Sequence, residues 1–395
     1  MSFQKIFIYI GVSVGILMIF VLSRAVFRND FFFSSSAYSL ARSTGGSDGQ
    51  GEAKTETITV DNGNQIFTTN EFDGLDKLTT REIMTTDGVK HSVPLDEVIG
   101  GGPPKDGIPS IDNPKFISIT EAGKLLSDSD PGIALDINGT TKFYPFQILV
   151  WHEIVNDTIN GQRVLITYCP LCLSGIVFDP VVPSSAEVSA ATKVLADRSA
   201  GRQGERVEFG TSGKLWNSNL VMYDRKTDSL WSQILGEAIV GELTGTQLKV
   251  LPSDMVRFGE FKKWYPKGSV LSRDTGTTRF YGQDPYGDYY TTPGTYFPVG
   301  EKDDRLGDKD FILGIVINGE AKAYWPEAVK KAGEITDRFA GKTIIARYEK
   351  EIDAVRLFSA DPSNPSGQTT LERINPFGAF WFSWVAAHPD TELLK

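Results

Sequence analysis

Short apolar runs separated by turn-forming residues fill the chain from about residue 66 onward. Apolar residues at 220–223 and 230–231 flank a polar stretch, which predicts a hairpin that turns at residues 224–229. The sequence FGAFWFSWVAAH at residues 377–388 is apolar on nearly all sides and predicts a buried helix. Many strand-like runs with few helical segments predict a mainly β (α+β) fold.

A weak internal repeat in one constant register relates many of these runs. Each copy predicts a strand, an Asn-Gly turn, a second strand, a short helix opened by Pro145 or Pro326, and two further strands around a Gly turn. We interpret residues 131–180 (copy one) and 311–360 (copy two) as a duplicated β-rich unit, although so few identities also arise by chance. The identities are Ile-Asn-Gly at 137–139 and 317–319, Lys142 and Lys322, Tyr144 and Tyr324, Asp157 and Asp337, Gly161 and Gly341, Tyr168 and Tyr348, and Phe178 and Phe358.

The N-terminus carries an uncharged apolar run. Residues 6–22 follow Lys5 and are just long enough to span a bilayer as a helix. The alternatives are a buried core helix and a cleaved signal peptide. We favour a retained single-pass anchor within residues 1–28, because Arg24 and Arg28 stand where a small-residue cleavage site is expected. We expect the soluble domain outside the cytoplasm, although the flanking charges nearly balance.

Composition divides the rest of the chain. Residues 29–65 are rich in Ser, Gly, Thr and Asp and predict a flexible linker, so the folded domain extends over residues 66–395. Residues 183–204 predict a surface insertion between the two copies. The breaker-rich sequence IGGGPPKDGIP at residues 99–109 predicts a loop that is a candidate wall of a site.

Charge excludes one class of partner. The formal net charge is −10, and acidic and basic residues are interspersed. This arrangement offers no positive stripe for phosphate contacts, so we expect no nucleic acid partner. Gly213-Lys214 is not part of a phosphate loop, because Glu208 replaces the first Gly and Leu215 stands where Ser or Thr would hold magnesium.

Both cysteines of the chain lie in one CxxC motif, TYCPLCLSG at residues 167–175. Such a pair forms a small disulfide, binds a soft metal ion, or exchanges electrons with another disulfide. A purely structural staple is the weakest explanation, because closing so short a loop stabilises by only roughly 2 kcal/mol. Copy two has Glu349 and Ile352 at the cysteine positions and Lys-Ala-Gly at residues 331–333 in place of Trp-His-Glu at 151–153. Chemistry confined to copy one explains this difference.

We favour thiol-disulfide redox chemistry by Cys169 and Cys172, with His152 as the third site residue. An unperturbed thiol is only about 3% ionised at pH 7, so a nearby cation or proton shuttle matters. His152 comes shortly before Cys169 in the chain, on an adjoining strand or helix end of the repeat. The residues after Cys172 predict a strand, which argues against a thioredoxin fold. The hypothesis implies a thiol-redox partner protein.

Two alternatives remain open. Cys169, Cys172 and His152 suit copper(I), or zinc with a fourth ligand or a water. In the other alternative the three residues are buried core residues of a structural or ligand-binding module. A cysteine hydrolase is poorly supported, because it leaves the second thiol unexplained. Candidate fourth metal ligands are His91, His388, Asp106 and Glu153; secondary site contributors are Tyr168, Trp151, Glu153 and residues 210–219.

Several longer motifs of the chain resemble those of a known protein family. They are GGPPKDGIPSIDNPKF, LVWHEIVND, TYCPLCLSG, FGTSGKLWNSNLVMYDR, SLWSQ and SRDTG, in this order. With them the chain resembles the domain of unknown function 3179 (DUF3179) family over about residues 80–392. The resemblance implies no particular reaction, because the family carries no established activity. The insertion before Phe209 departs from the family pattern and leaves the cysteine motif intact. Whether the protein is an enzyme stays open.

Overall fold

The computed structural model describes most of the chain after residue 80. The described residues are 60–61, 66–67, 81–182, 205–361 and 370–395, all within the unit Lys54–Lys395. The predicted anchor, most of the linker and the predicted insertion at 183–204 lie outside them. No helix of the described part is long and apolar enough to cross a membrane.

Strands form most of the regular structure of the described residues, as predicted. The helices are short: Ile119–Ala122, Phe146–Leu149, Phe258–Trp264, Pro326–Ala332 and Trp381–Ala387, with 3₁₀ turns at Leu95–Glu97 and Pro170–Cys172. The strands are β1 (Val60–Asp61), β2 (Ile66–Phe67), β3 (Met84–Thr86), β4 (Val89–His91), β5 (Ile99–Gly100), β6 (Phe116–Ser118), β7 (Pro131–Ile137), β8 (Thr140–Pro145), β9 (Ile154–Ile159), β10 (Gln162–Cys169), β11 (Ser174–Asp179), β12 (Val181–Val182), β13 (Glu205–Arg206), β14 (Phe209–Trp216), β15 (Asn219–Asp224), β16 (Leu230–Ser232), β17 (Glu237–Val240), β18 (Lys249–Val250), β19 (Ser253–Arg257), β20 (Ser269–Leu271), β21 (Phe311–Ile317), β22 (Glu320–Tyr324), β23 (Glu334–Phe339), β24 (Lys342–Glu349), β25 (Ala354–Asp361), β26 (Thr370–Ile374), β27 (Phe377–Phe380) and β28 (Glu392–Leu394).

These strands pair into several sheets. The larger ones have the strand orders β3-β4-β17-β16-β15-β14-β5, β19-β7-β8-β20-β6, β18-β11-β10-β9, β27-β21-β22-β28 and β23-β24-β25-β26. The predicted hairpin is confirmed, since β15 and β16 pair antiparallel with Met222 opposite Trp231. The result is a mainly β fold with a few short helices.

Copy one and copy two contain the same elements at the same spacing. The series β7, β8, Phe146–Leu149, β9, β10 and β11 of copy one recurs in copy two as β21, β22, Pro326–Ala332, β23, β24 and β25. Asn138-Gly139 and Asn318-Gly319 have positive φ at both residues, as a type I′ hairpin turn requires. The elements of the two copies therefore correspond, and a duplication as their origin stays an interpretation.

The correspondence extends beyond the repeat that the sequence shows. β19 pairs antiparallel with β7 and β20 parallel with β8, with the helix Phe258–Trp264 between them in the chain. β27 and β28 pair in the same way with β21 and β22, with the helix Trp381–Ala387 between them. The prediction of one helix over residues 377–388 is thus wrong for residues 377–380. They form a strand because they pair with residues 311–314 at the edge of a sheet.

A buried ion pair recurs in both copies. Lys142 Nζ lies 2.8 Å from Asp157 Oδ2, and the Tyr144 hydroxyl donates to the same oxygen over 2.6 Å. This contact ties the hairpin of each copy to its three-stranded meander. The equivalent atoms of copy two are Lys322 Nζ and Asp337 Oδ2 at 2.8 Å and the Tyr324 hydroxyl at 2.9 Å, with Glu392 as a second partner of Lys322 at 2.9 Å.

We expect Asp157→Asn to lower the free energy of unfolding by about 3 kcal/mol, because it leaves the Lys142 ammonium buried without a counter-charge. Asp337→Asn should cost clearly less, since Glu392 still neutralises Lys322. The exposed pair of Lys105 and Asp228 is the control, and Asp228→Asn should change stability by less than about 1 kcal/mol. Urea unfolding measures all three, and equal losses would contradict the assignment.

Candidate functional site

The cysteine motif forms a tight turn between two central strands. β10 ends at Cys169, the 3₁₀ turn Pro170–Cys172 follows, and β11 begins at Ser174 opposite Cys169. Pro170 suits the first position of the turn, because its φ is fixed and no N–H is needed there. Leu173 closes the turn with φ of 46°, as Asp353 does in copy two. The fold therefore requires the turn, whereas it does not require cysteines at its ends.

Both thiols are free and buried. Cys169 is 2% exposed and Cys172 is inaccessible. The Cys172 thiol donates to the Ser218 carbonyl over 3.2 Å. Burial raises the pKa of the Cys169 thiol well above its usual value, and Cys172 and then Glu153 raise it further. The Cys169 thiol is therefore protonated at neutral pH.

The segment at residues 210–219, predicted as a secondary contributor, reaches the cysteine turn through the Ser218 carbonyl. Asn217 and Ser218 both have positive φ in the turn between β14 and β15, and this turn aims the Ser218 carbonyl at Cys172. The loop at residues 99–109 packs behind β14. Gly213 is needed there, because its φ is 72° and a Cβ atom would lie 2.2 Å from the Pro103 carbonyl oxygen.

A buried hydrogen-bond network joins the motifs around the thiols. The Gln233 amide nitrogen donates to Thr167 Oγ1 and to the Ser174 carbonyl, each over 3.0 Å. Its amide oxygen accepts from Ser174 Oγ at 2.6 Å and from Asn219 Nδ2 at 3.2 Å. All four side chains are buried. Sequence reasoning missed Gln233, although its place in SLWSQ was a usable signal.

Tyrosines from an irregular segment cover the turn. The buried Tyr289 hydroxyl donates to the Leu171 carbonyl over 2.8 Å. Burial raises the pKa of Tyr289, and Cys172 and Cys169 raise it further. Burial also raises the pKa of Tyr286, and Glu153 and Cys169 raise it further. The Tyr290 hydroxyl is buried as well. Sequence analysis did not identify these tyrosines.

The structure does not bring His152 to the thiols. Its Nδ1 lies 2.7 Å from the Pro109 carbonyl and its Nε2 2.6 Å from the Tyr281 hydroxyl. Because a carbonyl can only accept, Nδ1 carries the proton and Nε2 accepts from Tyr281. Burial lowers the pKa of His152. The imidazole is neutral and fully bonded, and it is not the predicted thiol activator.

The predicted metal ligands do not assemble either. The part of the chain that the structure describes contains no group of three or more His, Cys, Asp or Glu side chains placed to hold a metal ion. The prediction of a copper or zinc site at Cys169, Cys172 and His152 therefore lacks its third ligand. Of the candidate fourth ligands, His91 bonds to Thr86 and Val93, His388 stacks on Trp384, and Asp106 accepts from Tyr223.

An aromatic stack holds one secondary contributor in place, and a hydrogen bond holds another. Tyr168 stacks on Phe146 with ring centroids 4.2 Å apart and is buried. The indole nitrogen of Trp151 donates to the Gln283 carbonyl over 3.2 Å. Both contacts fix the covering segment and the helix Phe146–Leu149 around the site.

Glu153 is a secondary contributor with a buried side chain. Its backbone has φ of 58°, and its carbonyl accepts from Tyr168 N over 2.7 Å. Its carboxyl is largely buried, makes no hydrogen bond to any described residue, and acts electrostatically on Cys169. Burial raises the pKa of Glu153 to about 8. Near neutral pH this carboxyl both gains and loses its proton.

We expect Gln233→Met to lower the free energy of unfolding by about 2 to 4 kcal/mol, because buried partners in Thr167, Ser174 and Asn219 lose their hydrogen bonds while the volume changes little. Gln162→Met is the control, because Gln162 lies at the start of β10 and its side chain makes no hydrogen bond to any described residue; it should cost less than about 0.5 kcal/mol. Equal costs in urea unfolding would contradict the role of Gln233.

The raised pKa of Glu153 predicts a pH-dependent stability. The native carboxyl keeps its proton up to about pH 8, while the unfolded chain loses it above its usual value of 4.5. Stability should therefore fall as pH rises, by about 1.5 to 2 kcal/mol between pH 6.5 and 8. His152 and His388 have lowered pKa values, so their opposite contribution is complete above roughly pH 6.5.

Urea unfolding at pH 6.5 and 8 measures this slope, and Glu153→Gln should abolish it. If the Glu153→Gln variant keeps the slope, another group titrates.

Comparison with known proteins gives a match to one protein family. No curated protein and no solved structure matches the chain. Residues 105–391, more than half of the chain, match the family described as "Protein of unknown function (DUF3179)". This range contains both cysteines, Glu153, Gln233 and the covering tyrosines. The chain therefore belongs to the DUF3179 family.

Proposed function

We propose that this protein is a thiol-disulfide redox protein that works through Cys169 and Cys172. One observation carries the proposal: two free, buried thiols stand at the two ends of one tight turn, with Cys169 directly before the turn Pro170–Cys172 and Cys172 at its end. Cys169 ends β10 directly before the 3₁₀ turn and Cys172 is the last residue of that turn, so the turn holds the two cysteines three residues apart on one reversal of the chain. Few other reasons place the only two cysteines of a chain on one turn.

The reaction is exchange with a disulfide of a partner protein. The two thiols together lose two protons and two electrons, and one S–S bond forms between Cys169 and Cys172. The partner's S–S bond breaks, and its two sulfurs take up the two electrons and two protons. The exchange passes through a mixed disulfide, and the attacking species at each step is a thiolate.

The comparison of the two copies supports chemistry at this turn. We interpret copy one and copy two as products of a duplication, with the site confined to copy one. Copy two keeps the turn but has Glu349 and Ile352 in place of the cysteines. If the cysteines served only packing, both copies should need them, because both copies pack the same turn. Their absence from copy two is therefore what we expect of a pair that carries a function.

Burial sets a condition on the reaction. Tyr289 bonds to the Leu171 carbonyl above the turn, and both thiols lie beneath the covering segment. A partner disulfide reaches them only after this cover opens. Since the pKa of the Cys169 thiol is raised, the closed dithiol reacts slowly with stray oxidants. The proposal thus describes a protected pair that reacts on docking of its partner.

The cellular setting belongs to the same proposal. The apolar run at residues 6–22 supports a single-pass membrane anchor, with residues 66–395 outside the cytoplasm. Disulfide exchange suits such a compartment, because it is oxidising in most cells.

A second candidate function is ligand binding without thiol chemistry. A cavity of about 370 Å³ is lined by Gly175, Asp254, Arg356 and Arg373 among others. Asp254 pairs with both arginines. The charges of the lining balance, with Asp254, Asp310, Glu327 and Asp353 against Lys309, Lys330, Arg356 and Arg373. Arg373 Nε is buried without a hydrogen-bond partner among the described residues. A polar organic ligand that both donates and accepts hydrogen bonds matches this lining.

The redox proposal predicts that oxidised glutathione converts the full-length chain, purified in detergent, to a form with one internal disulfide. Mass spectrometry should show the loss of two hydrogens, reversed by dithiothreitol. Cys169→Ser and Cys172→Ser should stop at a mixed disulfide with glutathione, because the resolving thiol is missing. Thiols that stay reduced in the wild-type chain, even at a large excess of oxidant, would contradict the proposal and favour the second candidate.

A further inference from the structure

The cavity of about 370 Å³ has a buried ion cluster in its wall. Arg356 binds Asp254 with two nitrogens, Nη2 at 2.6 Å from Oδ2 and Nε at 3.1 Å from Oδ1. Arg373 reaches the same carboxylate through Nη2, at 2.5 Å from Oδ1, and this nitrogen also donates to the Ser253 carbonyl over 3.0 Å. Arg373 Nε is buried and has no hydrogen-bond partner among the described residues. The cluster therefore leaves one guanidinium donor without an acceptor.

A second group of charges lines the cavity nearer to solvent. Lys330 pairs with Asp353 over 3.0 Å. Glu327 lies 3.9 Å from the same ammonium, which is too far for a hydrogen bond. The side chains of Asp353 and Glu327 are 45% and 64% exposed, whereas those of Asp254 and Arg356 are 7% and 17% exposed. The cavity thus has an inner end with a spare donor and an outer end with a spare carboxylate.

Copy one shows that the fold does not need the charges that copy two contributes to this lining. The uncharged residues of copy one at the equivalent positions are Gln147 for Glu327, Val150 for Lys330, Leu173 for Asp353 and Ile176 for Arg356. A buried ion group is weak support for a fold, because apolar residues of similar volume often stabilise as well or better. Charges kept where the same unit elsewhere uses uncharged residues point to a ligand.

Apolar side chains supply the rest of the lining. They are Met255, Phe311, Leu313, Trp325 and Val355. Gly175 and Gly378 bring no side chain, and their Cβ atoms would lie 3.4 Å and 3.2 Å from the Met255 sulfur. Met255 therefore packs over both glycines. The volume lies at the small end of the range for ligand pockets, so the occupant is a small molecule with an apolar part.

We propose that this cavity binds a small zwitterion, an amino acid or a dipeptide with an apolar side chain. Its carboxylate accepts from Arg373 at the inner end, and its ammonium donates to Glu327 at the outer end. The charges of the lining balance, and a ligand without net charge preserves that balance. Asp353 precedes Arg356 by three residues, so the backbone of the two ends is at most about 11 Å apart, within reach of a ligand of this size. This inference rests on the second candidate function, ligand binding, and goes beyond the redox proposal.

Isothermal titration calorimetry on the full-length chain, purified in detergent, tests the ligand class. The probes are L-leucine and L-alanyl-L-leucine. At least one of them should bind with a Kd of about 1 mM or lower, as expected of so small a ligand. The tighter probe decides between an amino acid and a dipeptide. If neither shows saturable binding, the proposal is overturned.

Blocked forms of the tighter probe test each of its charges. The N-acetyl form lacks the ammonium, and the C-terminal amide lacks the carboxylate. Each should bind at least about tenfold more weakly, because each loses a charge-assisted hydrogen bond. A blocked form that binds as tightly as the zwitterion would overturn this inference and leave ligand binding in the cavity standing.

Two variants assign the charges of the ligand to the two ends. Arg373→Gln should weaken the zwitterion and its N-acetyl form alike, at least about tenfold, and it leaves Asp254 paired with Arg356. Glu327→Gln should weaken the zwitterion about threefold or more and leave the affinity of the N-acetyl form unchanged, because that form has no ammonium. Since Glu327 is exposed, its variant tests the assignment even if Arg373→Gln does not fold.

Arg347→Gln and Glu334→Gln are the matched controls. These residues form an ion pair of 2.6 Å at the surface, and neither lines the cavity. Both variants should bind the probes like the wild type. If Glu327→Gln weakens the N-acetyl form as much as the zwitterion, or if it binds the zwitterion like the controls, the assignment is wrong.

The calorimetry involves no thiol reaction, so its outcome is independent of the oxidation experiment. Disulfide closure without binding of either probe would overturn this inference and leave the redox proposal standing. Binding of a zwitterion by a chain whose thiols stay reduced would support this inference and the second candidate function.

Discussion

The carboxamide of Gln233 holds the centre of this protein together. Its nitrogen and oxygen bond to Thr167, to both polar groups of Ser174, and to Asn219, and all of these side chains are buried. A buried amide that loses a partner costs far more than the bond contributes, so the strands β10, β11, β15 and β16 keep one relative position. The turn that carries Cys169 and Cys172 joins β10 to β11. The geometry of the thiols therefore depends on this network.

The two copies show how a site is added to a fold. Both keep the Asn-Gly hairpin, the Lys-Asp-Tyr contact and the left-handed residue after the 3₁₀ turn or its equivalent. Copy one alone adds two thiols and a strained carboxyl at Glu153. It is also the copy that the seven-stranded sheet and the covering tyrosines enclose. Extra structure thus surrounds the copy in which the chemistry is proposed.

Burial explains why the cysteines need help from their surroundings. In water a thiol exchanges its proton freely, whereas beneath Tyr289 the thiol of Cys169 has few groups to receive one. The same low-polarity surroundings bring the pKa of Glu153 to about 8. One physical cause, loss of water, makes both the Cys169 thiol and the Glu153 carboxyl hard to ionise.

The sequence by itself determined the β character of the fold, the correspondence of the two copies and the place of the cysteine turn. These three features depend on residues that lie close together in the chain, because hydrophobic patterns and turn-forming residues act over short distances in the sequence. Only the tertiary structure decided which side chains meet the thiols. Ser218 contacts Cys172 across 46 residues, Gln233 contacts Thr167 across 66, and His152 turns instead to Tyr281, 129 residues away. Such contacts arise from the packing of distant strands, and no local pattern encodes them.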